Sequence, residues 1–239
     1  MNSYLSKFSD VTLNNSKKSL HDHAVAGFIN QQFMANGFET EIFQSDSIKY
    51  QSFRLGNDLP IDAKIVGMIA RNHLDKNQKL FIEIANEILK NRRDVYFFVA
   101  GRDCTKIAII DYLSDKSHVD NFIVMESVPS EEYLPVLDLY LSPSKVEGFP
   151  NVLAEAMLCG VRIMSTDVGD CKDIIRNYGT VFNHKDSFKE LADVTIEMLS
   201  RSIDKHTMRK HIIDNFSIDE IANRHEDLYV KLINKVGVN

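Results

Sequence analysis

From Lys64 onward the chain alternates short, almost unbroken apolar runs with longer stretches of helical spacing, and this alternation constrains the fold more than any other feature. The most apolar run is Val95–Ala100, Val-Tyr-Phe-Phe-Val-Ala, which stops at Gly101. A strand without polar alternation is covered on both faces. Ile65–Ala70, Phe122–Met125, Leu139–Leu141 and Arg162–Ser165 are further strands of this kind, with Gly179–Phe182 a short last one. Between them, helices are expected over Asn77–Lys90, where Leu80, Phe81, Ile84 and Ile88 keep helical spacing, near Thr105–Leu113, around Ser130–Leu137 and over Asn151–Cys159. The rest reads as helix: Phe188–Ser200, Lys205–Asp214 and Ile218–Lys235, the last opened by capping-box spacing in Ser217-Ile-Asp-Glu220. Strand and helix in strict turn predict an α/β fold: a parallel sheet with helices on both faces and a helical C-terminus.

Residues 1–60 have a different character. They are rich in Asn, Gln, Ser and Lys and offer too little apolar surface for a core of their own. Val11-Thr12-Leu13 is a short strand candidate, Ser19–Met34 a helix candidate and Glu41–Phe43 an extended piece, with Asn36-Gly37 a turn signal. Asp58-Leu-Pro60 leads into the regular part.

Composition removes several function classes. A net charge of −6 without a basic run argues against nucleic-acid binding. Three cysteines, Cys104, Cys159 and Cys171, are widely spaced and lack CxxC pairing, which suits a reducing compartment better than a disulfide framework or zinc site. The eight histidines show no metal-ligand spacing, and His73 reads as a polar loop residue. No apolar run approaches the ~20 residues of a spanning helix, and Met1–Asp10 lacks the apolar core of a signal peptide. The expectation is a cytoplasmic protein, with peripheral contact at the inner face of a membrane left open.

In an open parallel sheet, ligands sit beyond the carboxyl ends of the strands. The loop after the first strand is Arg71-Asn-His-Leu-Asp-Lys76, with two cations five positions apart; the alternative is a solvated loop. Gly101-Arg102-Asp103 is a tight turn with no second or third glycine, which counts against a nicotinamide fingerprint. The most informative loop is Ser144-Lys-Val-Glu-Gly-Phe-Pro-Asn151. Pro150 suits the start of a helix and Gly160 its end. After Asn151 the only charge in that helix is Glu155. A carboxylate on an otherwise apolar helix needs a polar partner or a place at the surface. The helix N-terminus at Asn151–Val152 offers free N–H groups and a positive dipole end for a phosphate. A phosphate site with a carboxylate one turn further in is the outline of a nucleotide site.

Glu147 and Glu155 are separated by seven residues, with Gly-Phe-Pro-Asn after the first. This resembles the E-x7-E signature of retaining GT-B glycosyltransferases. Arg71 and Lys76 match an Arg/Lys pair of that family, Asn36–Phe43 resembles its interdomain segment, Glu126-Ser-Val-Pro129 its base-bordering loop, and Thr166-Asp-Val-Gly-Asp170 one of its turns, although a plain strand-to-helix turn explains the last equally well. The resemblance implies a Rossmann-like domain forming one half of a GT-B architecture, with residues 36–239 as the nucleotide-sugar donor domain and 1–35 as a remnant of an acceptor domain or a linking segment. By position, Arg71 and Lys76 with the helix start at Asn151 and Val152 would stabilise the diphosphate. Glu147, with the backbone of Gly148, Phe149 and Pro150, would hold the transferred sugar. Glu155 would take the ribose hydroxyls, and Val128 would border the base.

The implied reaction is retaining transfer from a UDP-sugar, ahead of a GDP-sugar, to a saccharide or lipid-linked acceptor in surface polysaccharide or glycoconjugate synthesis, without a cofactor or metal. A full acceptor domain does not follow from these 239 residues, so a partner chain carrying it is one expectation and weak activity in isolation another. A nucleotide-sugar epimerase and a non-catalytic donor-binding subunit are the alternatives.

Overall fold

The computed structural model describes residues 3–236; the ends of the two expected segments, 1–2 and 237–239, lie outside them. The chain runs β1 (Thr12–Asn14), α1 (Lys17–Val25), β2 (Gln31–Phe33), α2 (Ser47–Gly56), β3 (Lys64–Ile69), α3 (Gln78–Leu89), β4 (Val95–Ala100), α4 (Lys106–Ile110), β5 (Phe122–Met125), α5 (Ser130–Tyr133), β6 (Leu139–Ser142), α6 (Asn151–Leu158), β7 (Arg162–Thr166), α7 (Cys171–Ile175), β8 (Thr180–Phe182), α8 (Phe188–Ser200), α9 (Lys205–Phe216) and α10 (Ile218–Val236).

Six strands form one parallel sheet in the order β5-β4-β3-β6-β7-β8. Numbered within the sheet this is 3-2-1-4-5-6, the doubly wound Rossmann order, whose connections reverse direction between β3 and β6. The apolar strands divide their side chains between two cores. Phe97 and Val99 of β4 join Phe81, Ile84 and Ile88 of α3 on one face. Phe98 and Ala100 join the other face, where Leu153, Ala156 and Met157 of α6 pack with Met208 and Ile212 of α9. Strands buried on both faces have no use for polar alternation, which is why the runs were legible.

The amino-terminal region departs from expectation. The helix begun at Lys17 ends at Val25 instead of reaching Met34, because the chain turns at Ala26-Gly27 and Gln31–Phe33 becomes a strand. That strand pairs in parallel with Thr12–Asn14, so residues 12–33 form a βαβ unit with a two-stranded sheet. Glu41–Phe43 is turn rather than extended, and the polar α2 and the five-residue α7 were not foreseen. The segment around Phe38 bridges to Ser217: the Phe38 N–H donates to the Phe216 carbonyl at 2.9 Å and the Ile218 N–H to the Phe38 carbonyl at 2.9 Å. This ties the start of α10 to the connection after β2. His225 of α10 consequently lines a hollow with Asn14, Ser19 and His23 of the amino-terminal unit.

Candidate functional site

At the carboxyl ends of β3 and β6, where the sheet order reverses, two loops are sewn together. The Lys145 N–H donates to the Asp75 carbonyl at 2.7 Å, and the Asn77 side-chain amide donates to the Pro143 carbonyl at 3.1 Å. A neighbouring turn supports the first loop from the side. Gly101 approaches so closely that a Cβ there would lie 2.2 Å from the Ala70 carbonyl oxygen, and the Asn72 N–H donates to the Arg102 carbonyl. The weakly informative Gly101-Arg102-Asp103 turn thus braces the loop that carries Arg71 and Lys76.

Stitching these loops brings Lys76 to Glu147, with Nζ 2.6 Å from Oε1. Their side chains are 23% and 13% exposed, so this pair is screened less than a surface pair and is held by a charge-assisted hydrogen bond. Beside it opens a cavity of about 250 Å³, lined by Lys76, Glu147, Phe149, Pro150, Asn151 and Val152, together with Tyr140, Ser142 and Ser144. None of these last three follows from the sequence as a site residue, although Ser144 opens the informative loop and Tyr140 lies in the expected strand; the polar end of that otherwise apolar strand, Leu141-Ser-Pro-Ser144, is the signal for the two serines. The Tyr140 hydroxyl donates to the Ile69 carbonyl, and burial pushes its pKa far up, so it is a neutral donor.

Pro150 immediately precedes α6, and no side chain caps that helix. Its N-terminus therefore faces the cavity with the unsatisfied N–H groups that a helix start leaves. The Asn151 side chain is steadied by Asn36, whose amide donates to Asn151 Oδ1 at 2.7 Å. Phe149 sends its ring into the apolar layer, 6.2 Å from the Phe38 ring and 5.6 Å from that of Phe216. Gly148 sits in the same loop and meets the turn after β7. At Gly169, with φ of 57°, a Cβ would lie 2.3 Å from the Gly148 carbonyl oxygen and 2.5 Å from that of Glu147. Only glycine lets the two backbones touch this closely.

The other expected residues lie apart. Arg71 is exposed and has no ion pair or side-chain hydrogen bond among the described residues. Glu155 lines a different hollow, with Gly37, Phe38, Phe43 and Glu131; Asn151 borders both hollows. Burial raises the Glu155 carboxyl above the usual carboxylate range, the Ser130 hydroxyl opposes that shift by hydrogen bonding, and Glu131 adds to it. Ser130 follows the Val128-Pro129 loop, and Val128 packs half-buried against the core. Thus Glu155 is linked to Ser130, the residue after the Val128-Pro129 loop, while Glu147 and Lys76 line the other hollow, which shares Asn151 with the first. The cysteines take no part: all three are free and buried, and burial pushes the Cys159 and Cys171 thiols up to about 12 and about 11. Among the described residues no group of three or more His, Cys, Asp or Glu side chains is arranged to hold a metal ion, and no helix is long and apolar enough to cross a membrane.

Residues 63–201 match the family described as Glycosyl transferases group 1. The chain is 25% identical over 179 residues to the phosphatidylinositol N-acetylglucosaminyltransferase GPI3 subunit of Saccharomyces cerevisiae, covering 72% of this chain and 39% of that protein. It is 29% identical over 197 residues to the N,N'-diacetylbacillosaminyl-diphospho-undecaprenol alpha-1,3-N-acetylgalactosaminyltransferase of Campylobacter jejuni, covering 75% and 48%. The chain therefore spans between about two fifths and half the length of these relatives. Among solved structures, Anabaena Alr3699/HepE in complex with UDP-glucose superposes with a TM-score of 0.80 at 16% identity, covering 93% of this chain and 64% of that one. The C-terminal domain of a glycosyl transferase group 1 family protein (LpcC) from Francisella tularensis does so with a TM-score of 0.65 at 20% identity, covering 76% of this chain and all of that one. The shared fold is one half of the GT-B architecture.

Proposed function

Because this chain belongs to the group 1 glycosyl transferases, we propose that it is the nucleotide-sugar half of a retaining glycosyltransferase, with residues 36–239 holding the donor. The observation that carries the reading is the Lys76–Glu147 pair beside the uncapped start of α6, both lining one cavity at the point where the sheet order reverses. A helix start and a lysine are the two groups a diphosphate needs as negative charge grows on it. Lys76 gives one N–H to Glu147 and keeps others for phosphate oxygens. Arg71, exposed in the same loop as Lys76 and without a partner among the described residues, adds a second cation. Glu147 and the backbone of Gly148 to Pro150 hold the sugar. Glu155, half-buried one turn into α6 beside Ser130, accepts the ribose hydroxyls, and Val128 borders the base.

In the proposed reaction the bond from the anomeric carbon to the diphosphate oxygen breaks, its electron pair leaving with the diphosphate. The acceptor hydroxyl forms the new bond on the same face of the sugar and gives up its proton to the departing phosphate oxygen. The chain's part is to place the donor and to stabilise the leaving charge. UDP-sugars are the proposed donors ahead of GDP-sugars, since solved structures of the same fold are described with UDP and UDP-glucose. Saccharide or lipid-linked acceptors are proposed because a relative is named for an undecaprenol-linked substrate. Such an acceptor would be met at the inner face of a membrane, with the acceptor-holding half supplied by further chain or by a partner, and residues 1–35 belonging to that half.

The test is thermal stability with nucleotides. A ligand bound only by the native state stabilises by about 2.7 kcal/mol at a hundredfold excess over its Kd, so UDP at millimolar concentration should raise Tm by several degrees, and GDP by less. No rise with any nucleoside diphosphate would remove the donor-site reading.

A further inference from the structure

One buried carboxylate leads from the cavity loop into the amino-terminal unit. Asp170 closes the turn Thr166-Asp-Val-Gly-Asp170 and is only 4% exposed. Its side-chain hydrogen bonds all cross to the first turn of α1. The Ser16 hydroxyl donates to it at 3.2 Å, the Lys17 N–H at 2.9 Å and the Lys18 N–H at 3.3 Å. The carboxylate thus satisfies otherwise orphaned N–H groups and meets the positive end of a helix dipole, two reasons for a buried negative charge to stay there. Its backbone faces the other way: the Asp170 N–H donates to the Gly148 carbonyl at 3.0 Å, and Gly169 lies against the Glu147 and Gly148 carbonyls. One residue therefore holds α1 with its side chain and the Glu147–Gly148 loop with its main chain. The neighbouring ion pair Lys17–Asp173 is more than half exposed at both ends, and such pairs hold little.

We propose that Asp170 is a positioning residue, pinning α1 to the Glu147–Gly148 loop so that the seating of the amino-terminal unit sets how that loop grips the donor sugar. This rests on the assignment of Glu147 and Gly148 to the sugar rather than to the nucleotide. If α1 lifts, Asp170 loses three donors at once, and its bond to the Gly148 carbonyl shifts with it. Of the groups proposed for the nucleotide, Asn151 and Glu155 make no hydrogen bond to this turn among the described residues, and Lys76 reaches it only through its ion pair with Glu147.

Calorimetric titration of the full chain with UDP, UDP-glucose and UDP-N-acetylglucosamine separates the two effects. In Asp170→Asn the affinity for the nucleotide sugar relative to UDP should fall about tenfold, and in Ser16→Ala about threefold, with UDP itself held within about twofold, as expected for losing hydrogen bonds to a charged group. An unchanged ratio, or an equal fall for UDP and its sugars, would make Asp170 a structural residue only and overturn the proposal. Should Asp170→Asn fail to fold, Ser16→Ala decides by the same ratio: it removes one bond to Asp170 from the far side of the contact, together with the cap that Ser16 gives the Ser19 N–H, while leaving the carboxylate and its bonds from the Lys17 and Lys18 N–H groups. If wild type binds neither UDP nor its sugars, the donor-site reading fails first and this proposal with it.

Discussion

Phe97, Phe98 and Val99 of β4 are wholly buried, whereas Leu13 at the centre of β1 is 38% exposed. Both strands belong to parallel βαβ units, yet the six-stranded sheet carries an apolar core on each face and the two-stranded one shares the core of its neighbour. What fastens the amino-terminal unit is largely polar: Asp170 at the start of α1, and the Asn15–Asn36–Asn151 ladder, whose links measure 3.3 and 2.7 Å. Burial of apolar area is non-directional and strong, while hydrogen bonds are directional and individually modest in net energy. The large sheet is therefore built for stability, and the small unit for a defined orientation over the cavity loop.

The sharpest way to break this contrast is to remove a ring from each region. Phe81→Ala should cost about 3–5 kcal/mol, because Phe81 is 1% exposed between α3 and β4 and its cavity cannot collapse freely. Phe33→Ala in β2, a half-buried ring, should cost about 1 kcal/mol. Urea denaturation of both variants measures the difference, and equal losses would mean that the amino-terminal unit has a core of its own. Next in size is Lys76→Met, which removes the ion pair with Glu147 and leaves the two other bonds between the cavity loops in place. UDP affinity should fall by about 1.5–3 kcal/mol, the range for a hydrogen bond to a charged group, and calorimetry showing wild-type affinity would detach Lys76 from the phosphates.

The smallest effect has a sign that discriminates. The raised pKa of Glu155, caused first by burial, means that folding favours the protonated form. Its contribution to stability is present below the ordinary value of 4.5 and is lost as pH rises through the raised folded value. At neutral pH the ionised carboxylate is a cost. Glu155→Gln should then raise Tm slightly at neutral pH, with the gain fading in acid, and should weaken UDP binding at the same time. A variant that loses stability at neutral pH, or one that binds UDP as wild type does, would return Glu155 to an ordinary structural role.

Val95–Ala100 and Phe122–Met125 were legible to the residue because a strand covered on both faces must be apolar throughout. Phe188–Ser200 was equally legible, as one strongly apolar stripe. The α2 helix was not: Ser-Ile-Lys-Tyr-Gln-Ser-Phe-Arg-Leu-Gly buries chiefly Arg54, whose guanidinium reaches Asp138 at 3.2 Å, 84 positions away. Gln31–Phe33 read as the end of a helix because its own residues are neutral about conformation, and its pairing with β1 decided the matter. The candidate site divides along the same line. Lys76 and the α6 start could be named from residue type and loop position, since strand ends in a parallel sheet face one edge, and Glu147 from the resemblance carried by its spacing to Glu155.

Local pattern by itself thus determined the sheet, its covering helices and the loops where a ligand would lie, because hydrophobic periodicity is written residue by residue. Only the tertiary structure decided which of those loops touch. The Lys76–Glu147 pair spans 71 positions and the Asp170 bonds to α1 span 152 to 154. Contacts at such separations depend on strand order and on backbone approaches as close as Gly169 to Gly148, and no periodicity within a segment encodes them.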